Sequence, residues 1–295
     1  MHKCAIVGVS GGRAHGHAEA YQHIKRGKLS AISTRNRENL DSFGDKFQVS
    51  ARYTDYREMF ETERPDLVHV NTPPDVRLEV FRAADAAGIP ALFVEKPLAI
   101  DVEDYLAIRD FAKDCQVKIV INHQLHFHPR RLALQRLVQD GKIGEIRFID
   151  TSARMNLAYQ GTHALQAVNG FNPQGAPVNV FGQVSGIKGL LPSPGQHFSP
   201  DQCVAQISYD NGSTDSGAHI YAEENILGQA LATEAMFDWL SDDKTSHPLS
   251  LSHALRDFNV ILSIYMSAME REVIALPSCP KQNLVASLRQ RLGTE

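Results

Sequence analysis

The sequence predicts an α/β protein in two parts: a doubly wound parallel sheet over residues 1–122, then, over residues 123–295, an α+β domain with a small, open, mostly antiparallel sheet. Three observations carry this. Short β-type runs alternate with longer helical patterns as far as Asn122. A glycine-rich turn closes the first of those runs. After His128-Pro129 the rhythm changes to strands in succession, two of them joined by Asn211-Gly212.

The first part can be justified element by element. "KCAIVGV" is an apolar strand, "AHGHAEAYQHIKR" a helix and "KLSAIST" a second strand. "RENLDSFGDKF" and "DYREMFETE" read as helices and "PDLVHVNT" as a strand. "DVRLEVFRAADAAG" is a helix stopped at Gly88, which suits a left-handed C-terminal cap. "PALFVEK", a helix from Val102 to about Asp114 and "VKIVIN" complete the alternation. Strands separated by helices are joined by right-handed crossovers, which makes the sheet parallel.

In the second part, "RRLALQRLVQDGKIG" is a helix with a glycine stop, "EIRFIDTSAR" a strand and "HALQAVNGF" a short helix. "PVNVFGQVSG", "CVAQISYD" and "STDSGAHIYAE" are strands, the last two forming a hairpin about Asn211-Gly212. "NILGQALATEAMFDWLSDDKTSH" reads as helical or irregular. The stretch from Ser252 to Glu270 is apolar at helical spacing and is expected to pack back onto one of the domains.

Composition narrows the function. With 43% hydrophobic and 22% charged residues, the 295-residue chain can bury two ordinary cores. Its 30 Lys and Arg against 34 Asp and Glu give a net charge of −4, and no basic run offers to neutralise a phosphate backbone. Nucleic acid is not an expected partner. The N-terminal apolar stretch is too short for a signal-peptide core or a membrane span, so a cytoplasmic protein with no membrane partner is expected. Cys4, Cys115, Cys203 and Cys279 stand singly, with no His at ligand spacing, which predicts reduced thiols and no metal site.

"VGVSGGRAHG" follows the first strand and opens the first helix, where a doubly wound fold holds a pyrophosphate on free helix N–H groups. Gly8, Ser10, Gly11, Gly12, Arg13 and Ala14 are the cofactor-binding candidates there, although the fit to G-x-G-x-x-G is imperfect: counted from Gly8, the second glycine position is Ser10 and the third Arg13. At the end of the second strand, Ser33 and Thr34 replace the carboxylate that grips a ribose in an NAD site, and Arg35 follows. Two hydroxyls and a guanidinium make a socket for a 2′-phosphate, favouring NADP with NAD as the alternative. The rival reading is that Arg35 and Arg37 are solvated loop charges.

The apolar run "ALFV" ends in Glu95-Lys96-Pro97. Lys96 lies at the carboxyl end of a parallel strand, where ligands of open α/β sheets collect. Glu95 and Lys96 should point to opposite sides and not pair with each other. Asn122 ends the next strand and is expected to look into the same cleft, an ordinary turn-forming Asn being the alternative.

Taken in order, "VGVSGG", "YTDYREMFETERPDLVHVNTPP", "GIPALFVEKPLAID", "GKIGEIRFI" and "SAMEREVIALP" resemble the Gfo/Idh/MocA oxidoreductases. The resemblance implies an N-terminal Rossmann domain, with nicotinamide and substrate at its junction with the C-terminal domain. It implies that Lys96 faces the substrate, that Glu95 and Pro97 border the cofactor with Pro97 commonly cis, and that Asn71, Thr72 and Pro73 line it. It also implies self-association through the C-terminal sheet. Where the family usually has Asp, then Gly, then His, this sequence reads Tyr159, Gly161 and His163. His163 is a catalytic candidate because a neutral imidazole exchanges protons near pH 7; helix capping is the alternative. Tyr159 can position substrate or donate a proton, but it cannot replace an anionic carboxylate at neutral pH.

The resulting expectation is an NADP- or NAD-dependent enzyme that moves a hydride between nicotinamide and a secondary alcohol or ketone of a sugar or cyclitol. Two alternatives stay open: glycoside cleavage using NAD transiently, and a nucleotide-binding sensor without catalysis.

Overall fold

The computed structural model describes residues 1–151, 157–191, 198–212, 214–216 and 225–293. In chain order the elements are β1 (His2–Val7), α1 (Gly12–Ala20), β2 (Gly27–Ser33), α2 (Arg37–Phe47), β3 (Ala51–Tyr53), α3 (Tyr56–Glu63), β4 (Leu67–Val70), α4 (Arg77–Ala86), β5 (Ala91–Glu95), α5 (Val102–Phe111) and β6 (Lys118–Asn122). They continue with α6 (Pro129–Gln139), β7 (Phe148–Asp150), α7 (Thr162–Phe171), β8 (Pro177–Ser185), β9 (Gln202–Tyr209), β10 (Thr214–Ser216), α8 (Asn225–Ser241), α9 (Leu251–Glu270), β11 (Ile274–Ala275) and α10 (Leu284–Leu292).

The chain forms two compact units that interleave in sequence. One comprises Met1–Lys96, Asp110–His128 and Ala222–Leu251; the other Pro97–Arg109, Pro129–Tyr221 and Ser252–Glu295. A single cut near Asn122 therefore isolates neither. Helix α9, expected to pack onto one of the domains, belongs to the second unit, and α8 returns to the first.

In the first unit six strands run in the order β3-β2-β1-β4-β5-β6, every neighbouring pair parallel. Strands β4 and β5 are buried along their whole length, as a sheet covered on both faces requires. One face carries Ile6 and Ile32 against Ala14, Ala18, Leu40 and Phe43 of α1 and α2. On the other, Cys4, Leu67, Phe93 and Val120 pack with Ala230, Met236 and Phe237 of α8. Phe237 explains one glycine: a Cβ on Gly27 would lie 2.6 Å from its ring. Burying that phenyl group contributes about 1.5–3 kcal/mol. Arg26 secures the same helix, with Nε 2.5 Å from Glu234 Oε2.

Strand β3 escapes the hydrophobic pattern because it has three half-buried residues on an edge, too few to show an alternation. Helix α4 ends as expected, with Gly88 at φ +68.

The second unit holds a five-stranded sheet in the order β11-β8-β9-β10-β7, antiparallel except for β10 with β7. The Asn211-Gly212 hairpin is present between β9 and β10, with Gly212 at φ +80. Helix α9 lies close on β8: the Gly182 amide donates to Ser267 Oγ at 3.0 Å, and a Cβ on Gly182 would meet Ile264 Cγ2 at 2.7 Å. The two-residue β11 and the α10 helix are additions to the sequence reading. All four cysteines are free thiols.

Candidate functional site

The strand order places the crevice of the first unit between the carboxyl ends of β1 and β4, where the direction of winding reverses. Gly8 leaves β1 there at φ +87, and a Cβ on it would lie 3.0 Å from the carbonyl carbon of Asn71. Only glycine allows this approach of the two chain segments. The Gly8 amide donates to the Ser33 carbonyl and the Asn71 amide to the Val7 carbonyl, each at 2.8 Å, so the three strand ends are tied together.

Gly11 is the N-cap of α1 and has no side chain to satisfy the first amides. Cβ atoms on Gly11, Gly12 or Gly16 would meet nothing within 4 Å. Open space beside uncapped helix N–H groups is what a pyrophosphate needs. Ala14 is fully buried and packs with Ile6, so it serves close helix–strand packing instead of touching a ligand.

The Asn71 side-chain amide, both Nδ2 and Oδ1, and Thr72 Oγ1 are buried with no hydrogen-bond partner among the described residues. Buried polar atoms of this kind are costly unless a ligand or water completes them. They fit a dinucleotide lying past the end of β4. Pro73 is exposed beside them and precedes a short 3-10 turn, Pro74–Val76. Arg77 Nη2 donates to the Thr72 carbonyl at 3.2 Å.

At the end of β2, Thr34 and Ser10 hydroxyls meet at 3.1 Å, linking that strand to the glycine turn. Arg35 is exposed, whereas Ser33 is only 1% exposed, too buried to meet a phosphate. Arg37 is committed to Asp41 at 3.6 Å.

Glu95 and Asn122 are the terminal pair of the β5–β6 ladder. Glu95 Oε1 accepts from His17 Nε2 at 2.9 Å and from Asn122 Nδ2 at 2.6 Å. Burial raises its pKa, but the hydrogen bond and proximity of His17, the charge of Arg13 and the Asn122 amide outweigh that and hold it at about 2. Lys96 is 6% exposed. Burial and the charge of Arg13 push the Lys96 pKa down, Glu95 opposes them, Arg77 adds to the fall, and the result is about 7. A buried amine poised near neutrality can give or take a proton. His123, next to Asn122, is lowered to about 4 by burial, with Nδ1 3.1 Å from the Ile121 carbonyl oxygen. The Lys96–Pro97 peptide is trans, contrary to the cis form the resemblance implied; Leu276–Pro277 is the cis peptide among the described residues. A trans amide is the lower-energy form, and the ladder has already ended at Glu95.

His163 lies in the first turn of α7 in the second unit, and its neighbour Gly161 leaves no room for a Cβ, which would sit 2.5 Å from Leu157 Cδ1. The side chain of Tyr159 lies outside the described residues. On the same helix, Gln166 and Asn169 donate to the buried Asp257 carboxylate of α9 at 3.0 Å each, and burial raises that carboxyl's pKa. Among the described residues no group of three His, Cys, Asp or Glu side chains could hold a metal ion.

Sequence reasoning missed His17, His69, Tyr21 and Gln229. One signal was available: His69 interrupts the fully buried strand "LVHV", and a buried polar residue implies partners.

Residues 2–123 match the family described as "Oxidoreductase family, NAD-binding Rossmann fold", Gfo/Idh/MocA. Inositol 2-dehydrogenase of Rhizobium meliloti is 29% identical over 89 residues, 30% of this chain and 27% of that protein. D-apiose dehydrogenase of Paraburkholderia graminis is 25% identical over 142 residues, 48% of this chain and 37% of that protein. The chain thus spans less than half the length of these relatives. An Agrobacterium radiobacter oxidoreductase crystallised with NAD+, L-tartaric acid and magnesium shares the fold at TM-score 0.75 and 15% identity, covering 93% of this chain and 98% of that one.

Proposed function

We propose, from the premise that residues 2–123 belong to the Gfo/Idh/MocA oxidoreductase family, that this protein is a nicotinamide-dependent dehydrogenase or reductase acting on a secondary alcohol or ketone of a sugar or cyclitol. The observation that carries the reading is Lys96: a buried amine at the carboxyl end of a central strand, with a pKa of about 7. The substrate class rests on the inositol and apiose dehydrogenases among the relatives. The bound nicotinamide supplies the hydride donor or acceptor. Gly8, Gly11, Gly12 and Arg13 would hold the pyrophosphate, while Asn71, Thr72 and Pro73 would line the cofactor, with Glu95, Pro97 and Asn122 bordering it. Thr34, Ser10 and Arg35 would receive a 2′-phosphate, which favours NADP over NAD.

In this reading Lys96 takes the alcohol proton during oxidation and returns it during reduction, which keeps charge from building on the reacting oxygen. His163 is a second proton-handling group, and Tyr159 a substrate-positioning one. Self-association through the outer face of the second sheet, where Phe181 and Val204 are exposed, belongs to the same reading and is checked by sedimentation.

The test is Lys96→Met, which keeps the apolar stem and removes the three donors. Polyols and sugars are screened at the reduced-nicotinamide band, and single-turnover hydride transfer is then compared. Loss of an acid–base group predicts a fall of about 10²–10⁴-fold. A folded, cofactor-loaded variant with a normal rate overturns the assignment.

A further inference from the structure

Behind Glu95 lies a closed ring of four side chains from four elements of the first unit. His17 Nε2 lies 2.9 Å from Glu95 Oε1, Asn122 Nδ2 donates to the same oxygen at 2.6 Å and to Gln229 Oε1 at 2.7 Å, and Gln229 Nε2 lies 3.0 Å from His17 Nδ1. His69 Nδ1 lies 2.9 Å from His17 Nδ1, and the Tyr21 hydroxyl 2.9 Å from His69 Nε2. His17, Asn122, Gln229 and Glu95 are each no more than 7% exposed. A pocket of about 130 Å³ opens beside the ring, lined by Gly12, Arg13, Gly16, Gln124 and ring members.

An ionised carboxylate only accepts, and this orients the ring. Asn122 must turn its NH2 to Glu95, and the second hydrogen of that NH2 meets the carbonyl oxygen of Gln229. Gln229 then presents its own NH2 to His17, so His17 Nδ1 is a lone pair and Nε2 carries the hydrogen given to Glu95. His69 donates from Nδ1 to that same lone pair, which it shares with Gln229, and accepts the Tyr21 hydroxyl at Nε2. Asn122 Oδ1 is left facing away from the ring, buried and with no partner among the described residues. It is an acceptor held in one orientation.

We infer that Gln229, with His17, is a positioning residue: by closing the ring it fixes the Asn122 amide, whose carbonyl then faces the bound cofactor, and keeps the Glu95 carboxylate in place beside Lys96. This deepens the reading of Lys96 given above and rests on it. Helix α8 joins the first unit from more than a hundred residues away in sequence, so the ring also makes its docking a condition of an ordered site. Besides burial, the groups that set the Lys96 charge are Arg13 from α1, Glu95 at the end of β5 and Arg77 from α4.

The experiment uses Gln229→Leu and Gln229→Glu in the full chain. Nitrogen-15 NMR of the imidazoles should show His17 protonated at Nε2 and bare at Nδ1 in the unaltered protein. In Gln229→Glu, a carboxylate faces Nδ1 and should draw a proton onto it. Gln229→Leu should weaken cofactor binding in a fluorescence titration and lower turnover about ten- to a hundredfold through misplacement. It should also move the midpoint of the pH profile downward, since a Glu95 carboxylate no longer held in place supports the Lys96 ammonium less. If Gln229→Leu does not fold, Gln229→Glu carries the same three measurements.

A His17 protonated at Nδ1 in the unaltered protein overturns the inference, as does a folded variant with unchanged affinity and pH profile. Lys96→Met separates the two ideas. Turnover that survives it overturns the role of Lys96 and the ring's service to it, whereas lost turnover together with an unresponsive Gln229 overturns the ring alone.

Discussion

Glu95 and Asn122 close the β5–β6 ladder as its last paired residues, and their side chains meet as well, Nδ2 to Oε1 at 2.6 Å. Backbone register and side-chain bond thus fix the same point. Lys96 follows directly where the ladder stops, and both it and Glu95 feel the charge of Arg13 from α1.

The Lys96 pKa of about 7 predicts opposite pH profiles for the two directions of reaction. Alcohol oxidation needs the neutral amine, so its rate should rise through pH ~7; ketone reduction needs the ammonium and should fall there. Initial rates of both directions across pH 5–9 (roughly two units either side of that value) check this, and parallel profiles would remove Lys96 from proton transfer.

Stability should respond with a definite sign. The folded Lys96 pKa, about 7, is below its ordinary value of 10.5, so the unfolded chain binds more protons between those values and stability rises with pH across that window. Lys96→Met should flatten that rise and stabilise the fold at pH ~7 by a few kcal/mol, a common trade at active sites. Urea unfolding at several pH values measures it. Glu95 works the other way: its depressed pKa of about 2 contributes stability that is present above 4.5 and lost as pH falls through 2.

Much of this was legible from local pattern. Strands β1, β2, β4, β5 and β6 and the Asn211-Gly212 hairpin carry period, apolarity and turn chemistry within a few residues of themselves. Lys96 and the glycine turn could be read because strand ends in a parallel sheet share one edge. The ring could not be, since His17 and Gln229 are 212 residues apart and meet only when α8 docks. That helix has apolar residues around its circumference, so no stripe announced which face would be covered.

The 2′-phosphate socket is tested by charge reversal. Ser33 is buried, which leaves Thr34, Ser10 and the exposed Arg35 to do the recognition. Arg35→Asp should cost NADP about ten- to a hundredfold in Kd, the range of one charge-assisted pair, and NAD little. Titration of both cofactors decides; equal losses would return Arg35 to the solvated loop.

His163 provides the last prediction. It sits in the first turn of α7, three residues before Gln166, whose amide is held by Asp257 at 3.0 Å. Residues three apart share a helix face, so the imidazole lies on the face that this buried carboxylate orders. His163→Ala leaves the Asp257 bonds to Gln166 and Asn169 in place and should not unfold α7. As a proton-handling group it should lower turnover by about 10²-fold, with cofactor affinity unchanged because the phosphates are held in the first unit. His163→Gln keeps a hydrogen-bonding side chain that cannot exchange a proton, and should leave fold and cofactor binding intact without recovering the rate. Equal turnover in all three proteins would leave His163 with a structural role in the first turn of α7.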